Sequence, residues 1–171
     1  MKELIWVCGI IPEDINEEIK EICLKENNDL HLSERFFRFH LHVSMKRTFQ
    51  CDDFLSMKED LKELLINNKE LYCGHTNLIK NKDMLWLCLD EDEKLKEVHK
   101  RIDELLFDRY KVPIDTFDKN YLPHITIFHK GDSKNLDIMY ERLSVSLPSK
   151  QISIRQYAIG SKMRENEFFD V

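Results

Sequence analysis

Two short segments of the chain carry the residue types of acid–base chemistry at the same spacing. His42-Val43-Ser44 lies within FRFHLHVSMK, and His124-Ile125-Thr126 lies within YLPHITIFHK. Each is a histidine followed two positions later by a hydroxyl residue, and the histidines are 82 positions apart (124 minus 42). Because alternate side chains of a strand share one face, each histidine would stand beside its hydroxyl residue. Two such strands facing one groove would supply an acid, a base and hydroxyl donors for a phosphate.

Histidine suits proton transfer near neutral pH because its ordinary pKa is about 6.5. One imidazole can take a proton from water or a ribose hydroxyl while the other gives a proton to the leaving oxygen, and each such transfer contributes roughly 10² to 10⁴ in rate. Ser44 and Thr126 would donate hydrogen bonds to the non-bridging phosphate oxygens, where charge builds up. This chemistry requires no metal and no cofactor, and we predict none. Which histidine is the acid depends on the reaction direction and stays open.

A single His-x-Ser or His-x-Thr carries little information, since most such histidines are ordinary strand residues. The recurrence adds weight because both copies share the same surroundings. Apolar residues occupy the alternate positions in each segment, namely Val43, Met45, Ile125 and Ile127. In both segments the histidine and the hydroxyl residue would therefore lie on the face away from the apolar set. Pro123 also favours an extended chain just before His124.

Hydrophobic periodicity predicts the elements that position these segments. Strands are predicted at 4–11, 35–48, 71–79, 84–89, around His124 and at 152–159, with an extended piece at Phe168, and helices at 12–27, 52–67, 91–110 and 136–143. The order β-α-β-α-β-β-α-β-α-β predicts an α+β fold of two similar α/β lobes. Their antiparallel sheets would form a central cleft, with one His-x-Ser/Thr strand from each lobe.

Composition limits the function classes. A chain of 171 residues with 42% apolar content fits one domain, which we take as a single bilobal unit over residues 1–171. The net charge of −6 argues against extended nucleic-acid binding, which depends on Lys and Arg at the phosphates. The five cysteines are widely spaced and lack a CxxC pattern, which indicates reduced thiols in a cytoplasmic protein. No apolar run approaches 18 residues, so we expect no membrane span and no secretion signal. We also expect the protein to be a monomer.

The segments HVSMKRTF and YLPHITIF resemble the signature of the two-histidine (2H) phosphoesterase superfamily, and in particular of the bacterial 2′-5′ RNA ligase / RNA 2′,3′-cyclic phosphodiesterase family. The resemblance extends to the opening strand with its acidic helix and to MLWLCLD before a long helix. It implies that His42 and His124 are catalytic and that Ser44 and Thr126 bind the phosphate. It further implies a phosphodiesterase acting on 2′,3′-cyclic phosphate or 2′-5′ bonds of RNA ends or small nucleotides, with reverse ligation open to the same residues.

Three neighbouring residues are predicted to contact the substrate. Lys46 would share the His42 side if its strand runs straight, and could then neutralise a phosphate; a solvated lysine is the alternative. Phe128 could stack on a base, with core packing as the alternative. His129 stands where the bacterial ligases usually have an arginine, five positions beyond the second histidine, and Ser44 stands where many members have threonine.

Two other functions remain open at this stage. A zinc-dependent hydrolase could use His40, His42 and His124 as three imidazole ligands with one position left for water. That interpretation gives the repeated hydroxyl residues no role, and no matched carboxylate motif accompanies it. A non-catalytic nucleotide-binding module could use the same donors without turnover.

Overall fold

A computed structural model of the protein shows an α+β fold built on an antiparallel sheet, which confirms the predicted class. The structure describes residues 3–67 and 72–170. Its strands are β1 (Glu3–Ile10), β2 (His42–Cys51), β3 (Tyr72–Asn81), β4 (Met84–Leu89), β5 (His124–His129), β6 (Gln151–Ile154), β7 (Gln156–Ser161) and β8 (Arg164–Asp170). Its helices are α1 (Glu13–Glu26), α2 (Phe54–Asn67), α3 (Glu93–Tyr110), α4 (Thr116–Lys119) and α5 (Ser133–Ser146), with a 3-10 turn at Arg35–Arg38.

The described strands form one sheet in the order β6-β3-β4-β5-β2-β1-β7-β8. The two histidine strands, β2 and β5, are neighbours at the middle of this order. They are joined by the pair Val43–Ile125. On one side of this junction α5 packs on β3 and β4, and on the other α3 packs on β2. The fold therefore brings two strands from distant parts of the sequence to its centre.

The helices form where the sequence places apolar residues at helical spacing. In α3 the buried residues Leu95, Val98, Ile102 and Leu106 recur at intervals of three and four, so they line one face. That face joins a core that also contains Val43 and the apolar residues of β5. No helix within residues 3–67 and 72–170 is both long and apolar enough to cross a membrane.

The boundaries of two predicted strands are wrong. The strand predicted at 35–48 begins only at His42, because Arg35–Arg38 forms a 3-10 turn. Phe37 in that turn packs edge-on against Phe128 with the ring centroids 5.3 Å apart, so its apolar character reflects a core contact outside any strand. The strand predicted at 152–159 is two strands, since β6 pairs with β3 and β7 pairs with β1. Residue 71, the predicted start of the third strand, lies outside the described residues.

Strand β2 does not run straight. Its pairing with β1 passes from Cys8–Ser44 to Val7–Lys46 and then to Ile5–Phe49, with a register shift at each step. Each shift adds a residue to β2 relative to β1, which is the signature of a β-bulge. An extra residue reverses the alternation of faces beyond it. The side chains that follow Ser44 therefore do not continue the simple His42–Ser44 pattern.

Candidate active site

The two His-x-hydroxyl motifs lie side by side. Val43 and Ile125 are paired and buried, so the residues flanking them project from the opposite face of the sheet. The antiparallel register at this pair places His42 across from Thr126, and Ser44 across from His124. A small cleft of about 60 Å³ is lined by all four side chains, together with Phe36, His40 and Leu41. Each histidine thus neighbours the hydroxyl residue of the other strand as well as its own.

Each of the two candidate catalytic histidines is oriented by a contact to the backbone carbonyl two residues before it. Nδ1 of His42 lies 3.0 Å from the carbonyl oxygen of His40, and Nδ1 of His124 lies 2.7 Å from the carbonyl oxygen of Leu122. A carbonyl oxygen only accepts hydrogen bonds, so Nδ1 of each ring must carry the proton. In the neutral rings Nε2 is then an unprotonated acceptor. Each ring presents Nε2 as the atom that can take up or deliver a proton.

Burial lowers the pKa of both imidazoles. For His42 the removal of water around the ring is the largest cause, and the charge of His40 adds to it, while the hydrogen bond to the His40 carbonyl opposes the shift. For His124 the loss of hydration outweighs the opposing hydrogen bond to the Leu122 carbonyl. A lowered pKa keeps more of each ring in the neutral form at pH 7. Both rings can therefore begin as bases, and the charged form is favoured when a phosphate anion lies beside it.

Trp86 on β4 contacts one of the two motif histidines. Its ring stacks on the imidazole of His124, with the centroids 3.8 Å apart and the planes 18° from parallel. Trp86 pairs across the strands with Thr126, which puts the two side chains on one face of the sheet. The sequence did not predict this contact. Trp86 belongs to an apolar run, and the sequence does not show which strand pairs with that run. The stack limits the rotation of the ring and shields it from water.

The prediction that Lys46 contacts substrate is corrected by the structure. The bulge in β2 directs its side chain into the protein, where it is only 3% exposed. Its Nζ lies 2.5 Å from Oδ1 of Asp103 and 2.6 Å from Oδ2 of Asp118. An ammonium already held between two carboxylates does not serve a phosphate in the cleft.

Lys46 belongs to a buried polar cluster behind the motif strand. His99 on α3 stacks on Tyr121, with the ring centroids 3.9 Å apart, and its Nδ1 lies 2.7 Å from the Met45 carbonyl. The hydroxyl of Tyr121 donates to the Ser44 carbonyl at 3.0 Å. Two backbone carbonyls of β2 are thus held by side chains of this cluster. The polar cluster fixes the bulged part of the strand next to the hydroxyl residue of the first motif.

Charges within the cluster stabilise one another. Burial by itself would lower the pKa of His99, but hydrogen bonds to Asp103 and the Met45 carbonyl outweigh it, and the pKa is raised. Burial would likewise raise the pKa of Asp103, but hydrogen bonds from His99 and Lys46 outweigh it, and that pKa is lowered. Both groups are therefore favoured in their charged forms, which suits a paired, hydrogen-bonded cluster.

Neither of the other two predicted substrate contacts lines the small cleft. Phe128 is completely buried and packs on Phe37, so it belongs to the core and its use as a base-stacking residue is wrong. A register shift between β4 and β5 near Leu85 and Trp86 reverses its expected face. His129 is partly exposed at the end of β5, with its ring 6.1 Å from Phe36 in an edge contact. Phe36 lines the small cleft, so His129 borders the site without lining it.

Arg47 is a cation that sequence reasoning missed. It is exposed, and it lines a larger cavity that also includes His42 and Ser44. Its guanidinium carbon lies 4.8 Å from the centroid of Phe117, a cation–π geometry. The bulge that buries the side chain of Lys46 leaves that of Arg47 exposed. No local pattern in the sequence predicts which of the two lysine and arginine side chains is exposed.

The zinc ligands considered from the sequence do not form a site. Nε2 of His40 lies 2.5 Å from the Ile11 carbonyl oxygen and its Nδ1 lies 3.3 Å from a carboxylate oxygen of Glu13, so both nitrogens have other partners. Within residues 3–67 and 72–170, the set of side chains close enough to hold a metal is His99, Asp103 and Asp118. There the ammonium of Lys46 already lies between the two carboxylates. That geometry fits an internal ion pair.

A family model for the 2′-5′ RNA ligase superfamily matches residues 11–162 of the chain. The chain belongs to this superfamily, which is a group of 2H phosphoesterases. The match includes both His-x-hydroxyl motifs, so the recognition made from the two segments is confirmed. No curated protein sequence matches the chain.

Solved structures share the fold at low sequence identity. Escherichia coli LigT complexed with 3′-AMP is 11% identical, with a TM-score of 0.63 over 100% of this chain and 96% of that chain. LigT complexed with NADP+ is also 11% identical, with a TM-score of 0.63 over 99% and 95% of the two chains. Kluyveromyces marxianus Usb1 is 12% identical, with a TM-score of 0.50 over 99% and 98%. At these identities the likeness supports the fold alone.

Proposed function

We propose that the protein is a metal-independent phosphodiesterase that opens 2′,3′-cyclic phosphates or cuts 2′-5′ phosphodiester bonds of RNA ends or small nucleotides. The observation that carries this proposal is the presence of two imidazoles in one cleft, each with Nδ1 held by a carbonyl and Nε2 available for proton transfer. Membership of the 2′-5′ RNA ligase superfamily supports it. The nucleotides bound to LigT, 3′-AMP and NADP+, are ligands of the chemical class proposed here.

The arrangement accounts for each proton in the opening of a cyclic phosphate. One neutral imidazole takes a proton from water at Nε2 while the water oxygen attacks phosphorus. The other, protonated at Nε2, gives its proton to the ribose oxygen as the P–O bond breaks, which leaves a phosphomonoester. Ser44 and Thr126 donate hydrogen bonds to the non-bridging oxygens, where negative charge increases. Exchange of protons with water then returns both histidines to their starting forms.

The same residues could run the reaction in reverse when a ribose hydroxyl replaces water as the nucleophile. Hydrolysis is the direction we favour, because water is present at its bulk concentration. The net charge of −6 also gives the surface little attraction for two RNA ends. We therefore propose a nucleotide or RNA-end substrate without extended nucleic-acid binding.

The state of the cysteines indicates the cellular compartment in which the protein acts. Cys8, Cys23, Cys51 and Cys88 are buried free thiols, and Cys73 is an exposed free thiol. Unpaired cysteines of this kind are typical of reducing compartments. We accordingly propose that the protein acts in the cytoplasm. We separately propose that it is a monomer.

Turnover of a small substrate panel tests the proposed function. Adenosine 2′,3′-cyclic phosphate and 2′-5′ and 3′-5′ linked diadenylate would be incubated with the protein in excess EDTA. A His42→Gln/His124→Gln variant serves as the negative control, and His75→Gln, which changes an exposed histidine of β3, serves as the matched one. We expect turnover that EDTA leaves intact, that the double variant loses and that His75→Gln retains. Activity removed by EDTA would favour the metal hydrolase, and tight nucleotide binding without turnover would favour the binding module.

A further inference from the structure

A larger cavity opens on the His42 side of the cleft, over strands β1, β7 and β8. Its volume is about 490 Å³, which is within the usual range for small-molecule sites. It shares His40, His42 and Ser44 with the small cleft between the motifs. A phosphate held between the two histidines would therefore leave its attached nucleoside within reach of this cavity.

Aromatic side chains border the cavity above a floor of smaller ones. Cys8, Ile10 and Ala158 form a small apolar cluster against which Trp6 packs. Phe39 and Phe168 also line the cavity and are 62% and 51% exposed. Aromatic rings left open to solvent beside a phosphate site are suited to stacking on a planar base.

The Trp6–Asn166 pair is built into the sheet. Nε1 of Trp6 donates to Oδ1 of Asn166 at 3.0 Å, and Trp6 pairs across the strands with Gly160. A Cβ atom at position 160 would lie 1.8 Å from that Oδ1 and 2.6 Å from that Nε1. The pair therefore lies directly on the Gly160 backbone, where a larger residue would displace it. Because Oδ1 of Asn166 faces the indole, the amide NH₂ keeps its two donors for a ligand.

The charge around the cavity suits an anion even though the whole chain is acidic. Among the described residues that line it, Arg47 is an exposed cation and none is Asp or Glu. A neighbouring cavity of similar volume, about 490 Å³, is lined by two carboxylates, Glu13 and Asp14, beside one cation, Arg155, so its lining is less favourable to a phosphate. The difference favours the aromatic cavity as the place where a nucleotide extends from the catalytic cleft.

We infer that this aromatic cavity is a nucleobase subsite. Trp6, Phe39 and Phe168 provide stacking surfaces for the base, and the Asn166 amide donates to an acceptor on its edge. The inference rests on the proposed function, since it takes the phosphate between His42 and His124 as its starting point. It assigns the base of the substrate to the His42 side of the cleft. In a 2′-5′ diester, which carries a second nucleoside on the phosphorus, that nucleoside would lie on the His124 side.

Two substrates that differ only in the base test the subsite. Adenosine 2′,3′-cyclic phosphate would be compared with 1-O-methylribose 2′,3′-cyclic phosphate, which undergoes the same ring opening without a base. The ratio of their kcat/KM values would be measured for the wild type and for Trp6→Leu/Phe168→Leu. Phe107→Leu, which changes a 50% exposed phenylalanine on α3, is the matched control. Thermal unfolding of every variant reports whether the fold is retained.

We expect the wild type and Phe107→Leu to prefer the adenosine substrate by about 10- to 100-fold, the range that stacking of one base supports. The preference should fall about 10-fold or more in Trp6→Leu/Phe168→Leu, chiefly through KM. An unchanged preference, or an equal loss for both substrates, would overturn the subsite.

If the wild type opens neither ring, the cyclic-phosphate activity fails, and the subsite is judged separately by calorimetry. Binding of adenosine 3′-monophosphate that is weakened at least 10-fold in the same variant, beside unchanged binding to Phe107→Leu, would still support the subsite. Equal binding to the wild type and the variant would reject it.

Discussion

The hydroxyl of Tyr121 donates a hydrogen bond to the backbone carbonyl of Ser44 at 3.0 Å. The same ring stacks on His99, whose Nδ1 contacts the carbonyl of the next residue, Met45. The buried polar cluster and the first motif are thus connected through the backbone of β2. A residue that never reaches the cleft can in this way set the position of a hydroxyl that does.

Removal of the Tyr121 hydroxyl should reduce activity more than stability explains. Tyr121→Phe deletes one hydrogen bond, worth about 0.5–1.5 kcal/mol, and we expect a fall in kcat of about 3- to 10-fold. Tyr72→Phe is the matched control, because its hydroxyl donates to the Asp90 carbonyl at 2.5 Å on another part of the sheet. Both variants should lose similar stability in urea, and kcat should fall only in the first. Equal kcat values for the two variants would show that the Ser44 contact is only structural.

The hydroxyl residues should contribute to the chemical step. Ser44→Ala and Thr126→Val each remove one donor to the phosphate, and we expect kcat to fall by about 10- to 100-fold with a smaller change in KM. Ser144→Ala, on the exposed face of α5, should leave both constants unchanged. Steady-state kinetics on a cyclic phosphate checks this. A change confined to KM would instead mean that the hydroxyls hold the ground state and the transition state equally.

The pH optimum should lie on the acid side of the usual histidine range. Burial lowers the pKa of both His42 and His124. The productive free enzyme has one ring neutral and the other protonated, so kcat/KM should follow a bell centred between the two lowered values. We expect its maximum below the ordinary histidine pKa of about 6.5. A profile measured from pH 4 to pH 9 tests this, and an optimum at or above pH 7.5 would contradict the assignment of acid and base to these two residues.

Trp86 should control one limb of that profile. Its ring covers the imidazole of His124 at 3.8 Å, and loss of hydration is the largest cause of the lowered pKa of that residue. Trp86→Leu admits water to the ring, so the pKa should rise toward its ordinary value and the corresponding limb should move to higher pH. Direct titration of the His124 ring by NMR in both proteins measures the shift. A pKa that stays in place or falls would show that Trp86 does not shield His124.

The placement of the four motif side chains could be predicted because strand alternation is a local property. His42 with Ser44, and His124 with Thr126, need only an extended backbone to share a face. The α+β class followed in the same way from the periodicity of α1, α2 and α3. Each of these inferences depends on neighbours within a few positions in the chain.

The errors concern positions where distant pairing decides the geometry. The bulges that bury Lys46 arise from the pairing of β2 with β1, so a regular alternation in the sequence could not reveal them. The same holds for Phe128, whose face is set by a register shift against β4. Trp86 stacks on His124 only because β4 and β5 are adjacent in the sheet. Strand order and register are not encoded in the periodicity of one strand.

The buried position of Lys46 leads to a prediction about stability. Lys46→Met removes the ammonium from between Asp103 and Asp118, whose carboxylates are 2.5 and 2.6 Å from it. Removal of one member of a buried ion pair typically costs about 3–5 kcal/mol, and we expect a loss of that size in urea unfolding at pH 7. Lys58→Met is the control, because Lys58 pairs with Glu167 near the surface, where about 1 kcal/mol or less is at stake.

The pH dependence of that loss separates an electrostatic cause from a packing defect. Hydrogen bonds from His99 and Lys46 outweigh burial and lower the pKa of Asp103, so its pairing contributes stability above the ordinary aspartate pKa of about 3.9 and loses it as pH falls through the folded value. Without Lys46 the pKa of Asp103 should rise, and a carboxyl that becomes protonated no longer needs the ammonium. The difference in unfolding free energy between wild type and Lys46→Met should therefore narrow from pH 7 toward pH 4. A difference that stays constant over this range would mean that Lys46 acts through its packing volume rather than through its charge.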